Sequence, residues 1–544
     1  MELIHYSIYR VNVKGTYLTI GGKNWSCHHK IVRAHILILP TFALKFAKKA
    51  IMTNSQNAAE TSAQTIALAP DNAARDKLVI GLLLASTFVV FLNETIMTVA
   101  LPRLMLALDV PASAVQWLTT AFLLTMAVVI PITGFLIQRM NTRPIYIMAM
   151  SIFSVGTLIC AVSPGLELLI FGRVIQAVGT AIMMPLLMTT VMTLVPPEAR
   201  GKTMGNISIV ISVAPAIGPT ISGFVLNYLE WRWLFILVLP IALLALVLGT
   251  KWMKNVTEPR YAPLDISSVI LSAIAFGGLV YGLSGLGSSE TATIAGLPAW
   301  ATLLVGAVVM VIFVLRQLSL QKKDAALLDF RTFQSKLYSI CLAMLAISMM
   351  TLLGTIILLP IYTQNVLGVD ALQTGLMLMP GGLLMGLLAP SIGRLYDRIG
   401  PRPLVIPGTL LVAGVLWALT LVGQSTSIWN ILIGHMVLSV GLALVFTPLF
   451  TAGLGAVPPQ LYSHGSAMLG SIQQVAGAAG VALFVAVMSI QTRMSVEAGM
   501  DATAALTSGI RLAFLCGAVI FMVALVLAFF VRRPPVAEGA PTGH

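Results

Sequence analysis

One carboxylate lies inside a long apolar run near the start of this sequence. Glu94 belongs to the run 78–101, which can cross a bilayer because about 20 residues at 1.5 Å rise span a hydrocarbon core of about 30 Å. An ionised carboxylate there costs at least about 2.5 kcal/mol, so such acids usually face a cavity, pair with a base or carry protons. Desolvation disfavours the charged form of a carboxylate. Glu94 is therefore a candidate proton carrier that could also attract a cation, and the alternative is an acid near a helix end that reaches water.

An arginine lies in another apolar run. Arg173 belongs to the run 166–192, where an unpaired and unhydrated arginine costs several kcal/mol. Its position indicates either a functional group or interhelical hydrogen bonding that only fixes the packing. Asn93, next to Glu94, should project to a different helix face, because neighbouring residues are about 100° apart.

Further polar and aromatic side chains stand in or beside the apolar runs. Packing hydrogen bonds between membrane helices contribute only about 0.6 kcal/mol on average, so a structural role is the alternative for each of them. His435 is either a second titrating group or a satisfied interior histidine. The candidates for lining a cavity are Gln116, Trp117, Tyr362, Gln364 and Asn365.

The composition defines the elements that must position these residues. The chain has 544 residues, of which 58% are hydrophobic and 9% charged, whereas soluble domains average about 25% charged residues. We therefore predict an all-α polytopic membrane protein. Fourteen apolar runs are long enough to span a bilayer: 78–101, 113–137, 144–164, 166–192, 205–228, 232–252, 266–286, 297–317, 337–363, 371–393, 403–423, 428–451, 466–489 and 511–531.

Basic residues alternate between the connections. Counted from residue 52 onward, one set of connections carries 19 Lys and Arg residues and the other carries four. Positive charge marks cytoplasmic loops, so this bias predicts both termini in the cytoplasm. Much of the net charge of +13 belongs to this bias, and it gives no ground for nucleic-acid binding.

Several features of enzymes and metal proteins are missing from the sequence. The four cysteines lack the spacing of metal ligands, and no hydrolase, metalloprotease or nucleotide-binding motif occurs in a usable context. We expect no enzyme activity, no cofactor and no metal. Cys27, His28 and His29 read as incidental, not as a metal site.

The segment 1–77 precedes the first apolar run. Residues 1–51 are basic and contain an apolar patch too short to span a membrane. We interpret 1–51 as an over-extended reading frame or a dispensable tail; a signal peptide is the alternative, but no clear small-residue cleavage site follows. The rest of 1–77 is predicted to be a cytoplasmic N-terminal extension.

An internal repeat divides the membrane region. GFLIQRMNTRP begins at Gly134 and GRLYDRIGPRP at Gly393, 259 residues later, while VPPEARGK and VPPQLYSHG begin 262 residues apart. Nearly constant offsets indicate duplication of a six-helix unit. Paired bundles that rock about a central site are common in secondary transporters. The predicted organisation is 6+2+6: bundles 78–252 and 337–531, two extra helices and a linker in 253–336, and a cytoplasmic tail 532–544.

These motifs resemble those of the major facilitator superfamily, in particular its fourteen-helix drug:proton antiporter branch of the EmrB/QacA type and the lincomycin-resistance exporters. The loop motif G-x-L-x-D-R-x-G-R-[RK] occurs at 393–402, and its first copy has Gln138 where the family usually has Asp. R-x-x-Q-G-x-G appears from Arg173, with Ala177 replacing one glycine. The antiporter motif appears at 214–223, and LNETIMTVALP replaces L-D-x-T-I-V-N-V-A-L-P, with Asn93 at the Asp position.

The resemblance implies roles for particular residues. Glu94, Asn93, Arg173 and Gln176 would serve proton coupling or substrate binding. The antiporter motif would contribute Gly218, Pro219 and Gly223, which in the family mark exporters. The conformational switch would comprise Gly134, Arg139, Arg143, Gly393, Asp397, Arg398 and Arg402.

The resulting expectation is proton-coupled efflux of small amphipathic or cationic drugs across the cytoplasmic (inner) membrane. The alternative is a specific metabolite exporter or a solute:proton symporter on the same fold, because the fold does not fix the substrate. Expected partners are the drug, protons and the lipid bilayer. Nothing in the sequence establishes an adaptor or an outer-membrane channel.

Overall fold

A computed structural model describes the chain in two units, Met1–Ala74 and Arg75–His544. In the first unit the structure describes an antiparallel hairpin formed by β1 (Tyr17–Ile20) and β2 (Lys23–Ser26). The predictions for residues 1–51, including those for Cys27, His28 and His29, otherwise fall outside the described residues. The described residues are 17–20, 23–26, 74–97, 100–101, 103–256, 259, 263–286, 293–294 and 297–534.

Fourteen helices in the described residues are long and apolar enough to cross a membrane, which confirms the predicted all-α polytopic fold. Several continue through internal prolines, which membrane helices tolerate because neighbouring groups satisfy the freed backbone. Their bounds are α1 Ala74–Met97, α2 Ala112–Arg139, α3 Thr142–Val162, α4 Leu166–Leu194, α5 Arg200–Tyr228, α6 Trp233–Trp252, α7 Ile266–Leu286, α8 Ala299–Leu320, α9 Lys336–Asn365, α10 Ala371–Ile399, α11 Arg402–Leu419, α12 Ile428–Gly455, α13 Tyr462–Glu497 and α14 Ala502–Ala528.

The two sequence repeats fold in corresponding ways. In the first half, α1–α6, Gly179 of α4 packs so closely on α3 that a Cβ there would lie 2.8 Å from the Phe153 nitrogen. In the second half, α9–α14, Gly441 of α12 packs on α11 in the same manner, 2.9 Å from the Gly408 carbonyl oxygen. Gly179 and Gly441 are 262 residues apart, the offset that the sequence repeat gives. The fourth helix of each half therefore sits on the third at the same register.

The halves meet along two helix pairs. α5 packs against α10, and α2 packs against α13. Both contacts are close where α2 and α10 end and α5 and α13 begin, which we call the latch end of the bundle. A Cβ at Gly205 of α5 would lie 2.7 Å from the Pro390 Cα of α10, and one at Gly134 of α2 would lie 3.0 Å from the Ala467 Cβ of α13. The small residues let the halves approach closely there.

The extra helix pair contacts both halves. α7 packs against α2 and α13, and α8 packs against α7. A short antiparallel hairpin, β3 (Thr293–Ile294) and β4 (Leu297–Pro298), lies between α7 and α8. The large side chains that α8 exposes are apolar, as expected of a surface in contact with lipid.

An ion pair ties the two extra helices together beside the start of α7. Arg316 donates from Nε and Nη2 to the two oxygens of Asp265, at 2.7 and 2.8 Å. The hydrogen bond from Arg316 holds the pKa of Asp265 at about 2. The buried Gln317 side chain donates to Ser268 Oγ and accepts from the Leu327 nitrogen, at 2.7 Å each. The linker after α8 is thereby fixed to the pair.

Candidate functional site

A buried arginine organises the polar interior of the first half. Arg173 of α4 is 1% exposed, and its Nη1 donates to Asn93 Oδ1 of α1 and to Gln176 Oε1, at 3.0 Å each. Its Nε lies 3.5 Å from the Leu118 carbonyl oxygen of α2. The guanidinium carbon stands 4.0 Å above the centroid of the Phe122 ring, a cation–π contact. Three helices therefore hold one charged group inside the bundle.

The network extends to α3 through Gln176. Its Nε2 donates to Thr157 Oγ1 at 2.8 Å, and Thr157 in turn donates to the Phe153 carbonyl oxygen. Gly156 leaves the space for this amide, since a Cβ at Gly156 would lie 2.8 Å from Gln176 Cγ. Nothing in the sequence marked Thr157, because a threonine in an apolar helix commonly bonds to its own backbone.

Glu94 stands beside this network without joining it. The side chain is half-buried, its Oε2 is buried, and that oxygen has no hydrogen-bond partner among the described residues. The positive charge of Arg173 acts on Glu94 through space, but the two form no ion pair in the described structure. Asn93 and Glu94 occupy different helix faces, as expected, and Asn93 accepts the hydrogen bond from Arg173. Glu94 therefore keeps a buried oxygen that no described residue satisfies.

The antiporter motif of α5 contacts the residue after Glu94. Thr95 Oγ1 lies 3.4 Å from the Ala214 carbonyl oxygen. Gly218 faces the same threonine, and a Cβ at 218 would lie 3.0 Å from the Thr95 Cβ. Pro219 follows within the helix, whereas a Cβ at Gly223 would meet no atom within 4 Å. The first part of the motif thus packs against α1 directly beside Glu94.

An acidic latch joins the halves at the latch end. Asp397 of α10 accepts hydrogen bonds from the backbone nitrogens of Gly201 and Lys202, at 2.7 and 2.8 Å. These nitrogens belong to the first turn of α5, where backbone donors have no partner within the helix and the helix dipole favours a negative charge. Gly393 packs directly on Gly201, and Arg533 donates to the Asp397 carbonyl oxygen. The predicted switch residues Gly393 and Asp397 therefore lie at a contact between the halves.

The repeat-related position carries an amide in place of the acid. Gln138 of α2 lies 259 residues before Asp397, and its Oε1 is 3.1 Å from His464 Nε2 near the start of α13. We call this contact the amide latch. Gly134 packs on the same helix start. Where the family usually has an acid, Gln138 thus contacts His464, a residue that sequence reasoning missed. The signal for it was the HG pair in VPPQLYSHG.

The basic members of the predicted switch do not all reach the other half. Arg139 is exposed and lies 5.9 Å from the centroid of the Phe135 ring on its own helix. Arg143 donates to the Thr250 carbonyl oxygen at 2.6 Å, a contact between α3 and α6 of the first half. Arg398 and Arg402 are exposed at the latch end.

The predicted cavity candidates divide into two groups. Tyr362 is fully buried and donates to the Gly423 carbonyl oxygen at 2.6 Å, a contact between α9 and the loop after α11, and its place in a cavity stays a prediction. Trp117 stacks on Tyr281 of α7 with 6.0 Å between ring centroids. Gln116, Gln364 and Asn365 are exposed near helix ends. These three remain predictions.

The geometry defines a class of protein: a multi-pass membrane protein with two related six-helix halves that meet at latches and enclose a buried charge network. A comparison with protein families agrees, because the profile of the Major Facilitator Superfamily matches residues 83–481. The chain belongs to this superfamily.

Alignments with related proteins cover most of the chain. The uncharacterized MFS-type transporter YcnB of Bacillus subtilis is 42% identical, over 84% of this chain and 95% of its own. The lincomycin resistance protein LmrB of Listeria monocytogenes is 40% identical, over 84% of this chain and 96% of its own. The first is a transporter by name, and the second is named for resistance to lincomycin.

Solved structures share the fold at low sequence identity. The human organic anion transporter MFSD10 (TETRAN) has a TM-score of 0.57 at 16% identity, over 83% of this chain and 99% of its own. The proton:xylose symporter XylE has a TM-score of 0.56 at 14% identity, over 85% of this chain and 97% of its own. Their different substrates illustrate that the fold leaves the substrate open.

Proposed function

We propose that this protein exports small amphipathic or cationic drugs across the cytoplasmic membrane in exchange for protons. The observation that carries the proposal is Glu94, whose buried Oε2 has no hydrogen-bond partner beside the satisfied Arg173 network. A buried anionic oxygen without a donor is costly, and either a proton or a cation removes that cost. The two occupants compete for one carboxylate, which is the requirement for exchange.

The orientation proposed from the basic connections gives the exchange a direction. The latch end carries most of the positive charge and would face the cytoplasm, together with both termini. Contacts between the halves at this end would then close the cytoplasmic side. In that state Glu94 would release its drug to the exterior and take up a proton from there.

The latches would govern the return step. Opening the cytoplasmic side requires Asp397 to leave the nitrogens of Gly201 and Lys202, and Gln138 to leave His464. Glu94 would then lose its proton to the cytoplasm and bind the next cation. Because Gly218 packs on Thr95, movement of α5 would shift Thr95 and the adjacent Glu94.

The driving force is sufficient for export. For an uncharged drug exchanged for one proton, one elementary charge crosses the membrane, and at about 100 mV this supplies about 2.3 kcal/mol, which sustains a concentration ratio of about fifty-fold before any pH difference is added. For a monovalent cation the exchange moves no net charge, so the pH difference alone drives it. Drug export is supported by the relative named for lincomycin resistance.

Everted membrane vesicles with an acid interior test the proposal. Accumulation of lincomycin or tetraphenylphosphonium in the vesicles, abolished by collapsing the gradient, is the expected result. Loss of a preloaded solute on the same gradient would identify a symporter instead. Uptake that persists after the gradient is collapsed would contradict proton exchange.

A further inference from the structure

The two halves differ at the position that Arg173 occupies. The segment FGRVIQAVG at 171–179 corresponds to IGHMVLSVG at 433–441, which lies 262 residues later. In this alignment of the two repeats, His435 occupies the position of Arg173. The close packing of Gly179 and Gly441 on the preceding helices confirms this register in three dimensions. The imidazole of His435 is therefore the counterpart of the buried guanidinium.

The residue facing this position also differs. Phe122 lies under the Arg173 guanidinium, and the offset of 259 residues between α2 and α10 makes Gly381 its counterpart. Gly381 lies against the His435 ring, since a Cβ there would stand 2.6 Å from His435 Cε1 and 2.7 Å from Ser439 Oγ. The first half thus buries a cation on an aromatic ring, and the second seats an imidazole against a helix backbone.

His435 differs from Arg173 in having no partner. It is 9% exposed, its Nδ1 is buried, and neither ring nitrogen forms a hydrogen bond to any described residue. Arg173, by contrast, is bonded to Asn93 and Gln176. A neutral imidazole offers one N–H donor and one acceptor nitrogen, and buried polar groups are normally hydrogen-bonded. The ring is therefore positioned for a partner that the protein itself does not supply.

Charged groups on the helices around His435 are confined to the helix ends. The helices packed against α12 are α5, α9, α10, α11 and α13. Their charged side chains and their remaining histidine lie within about two turns of a helix end: Arg200, Lys202, Lys336, Arg394, Asp397, Arg398, Arg402, His464, Arg493 and Glu497. The surroundings of His435 therefore favour an uncharged hydrogen-bonding group over an anion or a cation.

We propose that His435 and Ser439 form a subsite in the second half that binds a hydroxyl or amide group of the transported compound. Glu94 in the first half takes the cationic group of the same compound. The inference rests on the proposed drug export, and it names the chemistry that a substrate needs beyond positive charge. A compound with both groups contacts both halves.

Two probes separate the subsite from Glu94. Lincomycin carries hydroxyl and amide groups, whereas tetraphenylphosphonium is a cation without a hydrogen-bonding group. We expect His435→Leu to raise the Kd of lincomycin about tenfold in purified protein, the loss of about one hydrogen bond. The Kd of tetraphenylphosphonium should change less than twofold. His435→Asn, which keeps a donor and an acceptor, should retain most of the lincomycin affinity.

A thermal melt excludes a structural explanation. Because His435 has no hydrogen bond in the described structure, His435→Leu should leave Tm unchanged or raise it. A marked fall in Tm, with both probes weakened equally, would show that the ring is a packing element and would overturn the subsite. Unchanged lincomycin affinity in His435→Leu would overturn it as well, while leaving drug export standing. Failure of the wild-type protein to bind either probe would overturn the proposed function and the subsite together.

Access to the subsite provides a second readout without transport. In a background lacking the four native cysteines, His435→Cys should react with a water-soluble cationic methanethiosulfonate, and lincomycin should slow the reaction. The control is Ala443→Cys, two turns further along the same helix and 1% exposed, which should not react. A His435→Cys protein that resists the reagent as Ala443→Cys does would show that no solute reaches this position.

Discussion

Asn93, and not the neighbouring Glu94, accepts the hydrogen bond of Arg173, at 3.0 Å. The sequence offered both side chains within one apolar run, and a charge pair between Glu94 and Arg173 would have been the simplest arrangement. The structure instead satisfies the arginine with neutral oxygens from Asn93 and Gln176. This division leaves Glu94 Oε2 without a hydrogen-bond partner among the described residues, as the proposed exchange requires.

Replacing Asn93 by leucine should destabilise the first half. Arg173 would lose one of its two side-chain acceptors, and we expect a loss of about 1–2 kcal/mol, seen as a lower Tm in detergent. Asn93→Asp is the matched control, because it keeps an acceptor oxygen at the same place. Equal Tm values for Asn93→Leu and the wild type would contradict a structural role for this hydrogen bond.

The sequence predicted the helices better than their contacts. Apolar runs and the charge of the loops indicated all fourteen helices and the repeat, because the bilayer imposes length and composition on each span. The sequence did not reveal the contact of Tyr362 with the loop after α11, because an amphipathic side chain in an apolar run fits a cavity and a packed helix end equally well. The Gln138–His464 contact joins residues 326 apart in the chain, and only the packing of α2 on α13 reveals it.

Removing the acidic latch should open the latch end. Asp397→Ala deletes both acceptors for the Gly201 and Lys202 nitrogens. We expect Ser208→Cys, in a protein without native cysteines, to react several-fold faster with a membrane-impermeant maleimide applied to that side. Ser208 is 5% exposed and is bonded to Thr447 of the other half, so it should report separation of the halves.

Asp370→Ala is the control for the latch, because Asp370 caps the opposite end of the same helix. It should leave the labelling rate at Ser208→Cys unchanged. An equal rate in Asp397→Ala and in the parent would contradict the assignment of Asp397 to closure of this end.

Breaking the ion pair between the extra helices should destabilise the protein, and the loss should be the same at pH 6 and at pH 8. Arg316 holds the pKa of Asp265 at about 2, below the ordinary value of about 3.9, so the pair stabilises the fold above about pH 4 and weakens only as the pH falls towards 2. We expect Asp265→Asn to lower Tm by about 2 °C at both pH 6 and pH 8. Glu497→Gln, in an exposed pair, should have no measurable effect. A Tm difference that grows between pH 6 and pH 8 would contradict this assignment.

The most direct test of the exchange mechanism compares Glu94→Gln with the wild type in proteoliposomes. With the interior acid and the membrane potential clamped by valinomycin in equal potassium, the wild type should accumulate tetraphenylphosphonium. Glu94→Gln should not do so, although it should keep the wild-type Tm, because Oε2 has no partner to lose. Accumulation by Glu94→Gln at the wild-type rate would remove the carboxylate from the mechanism.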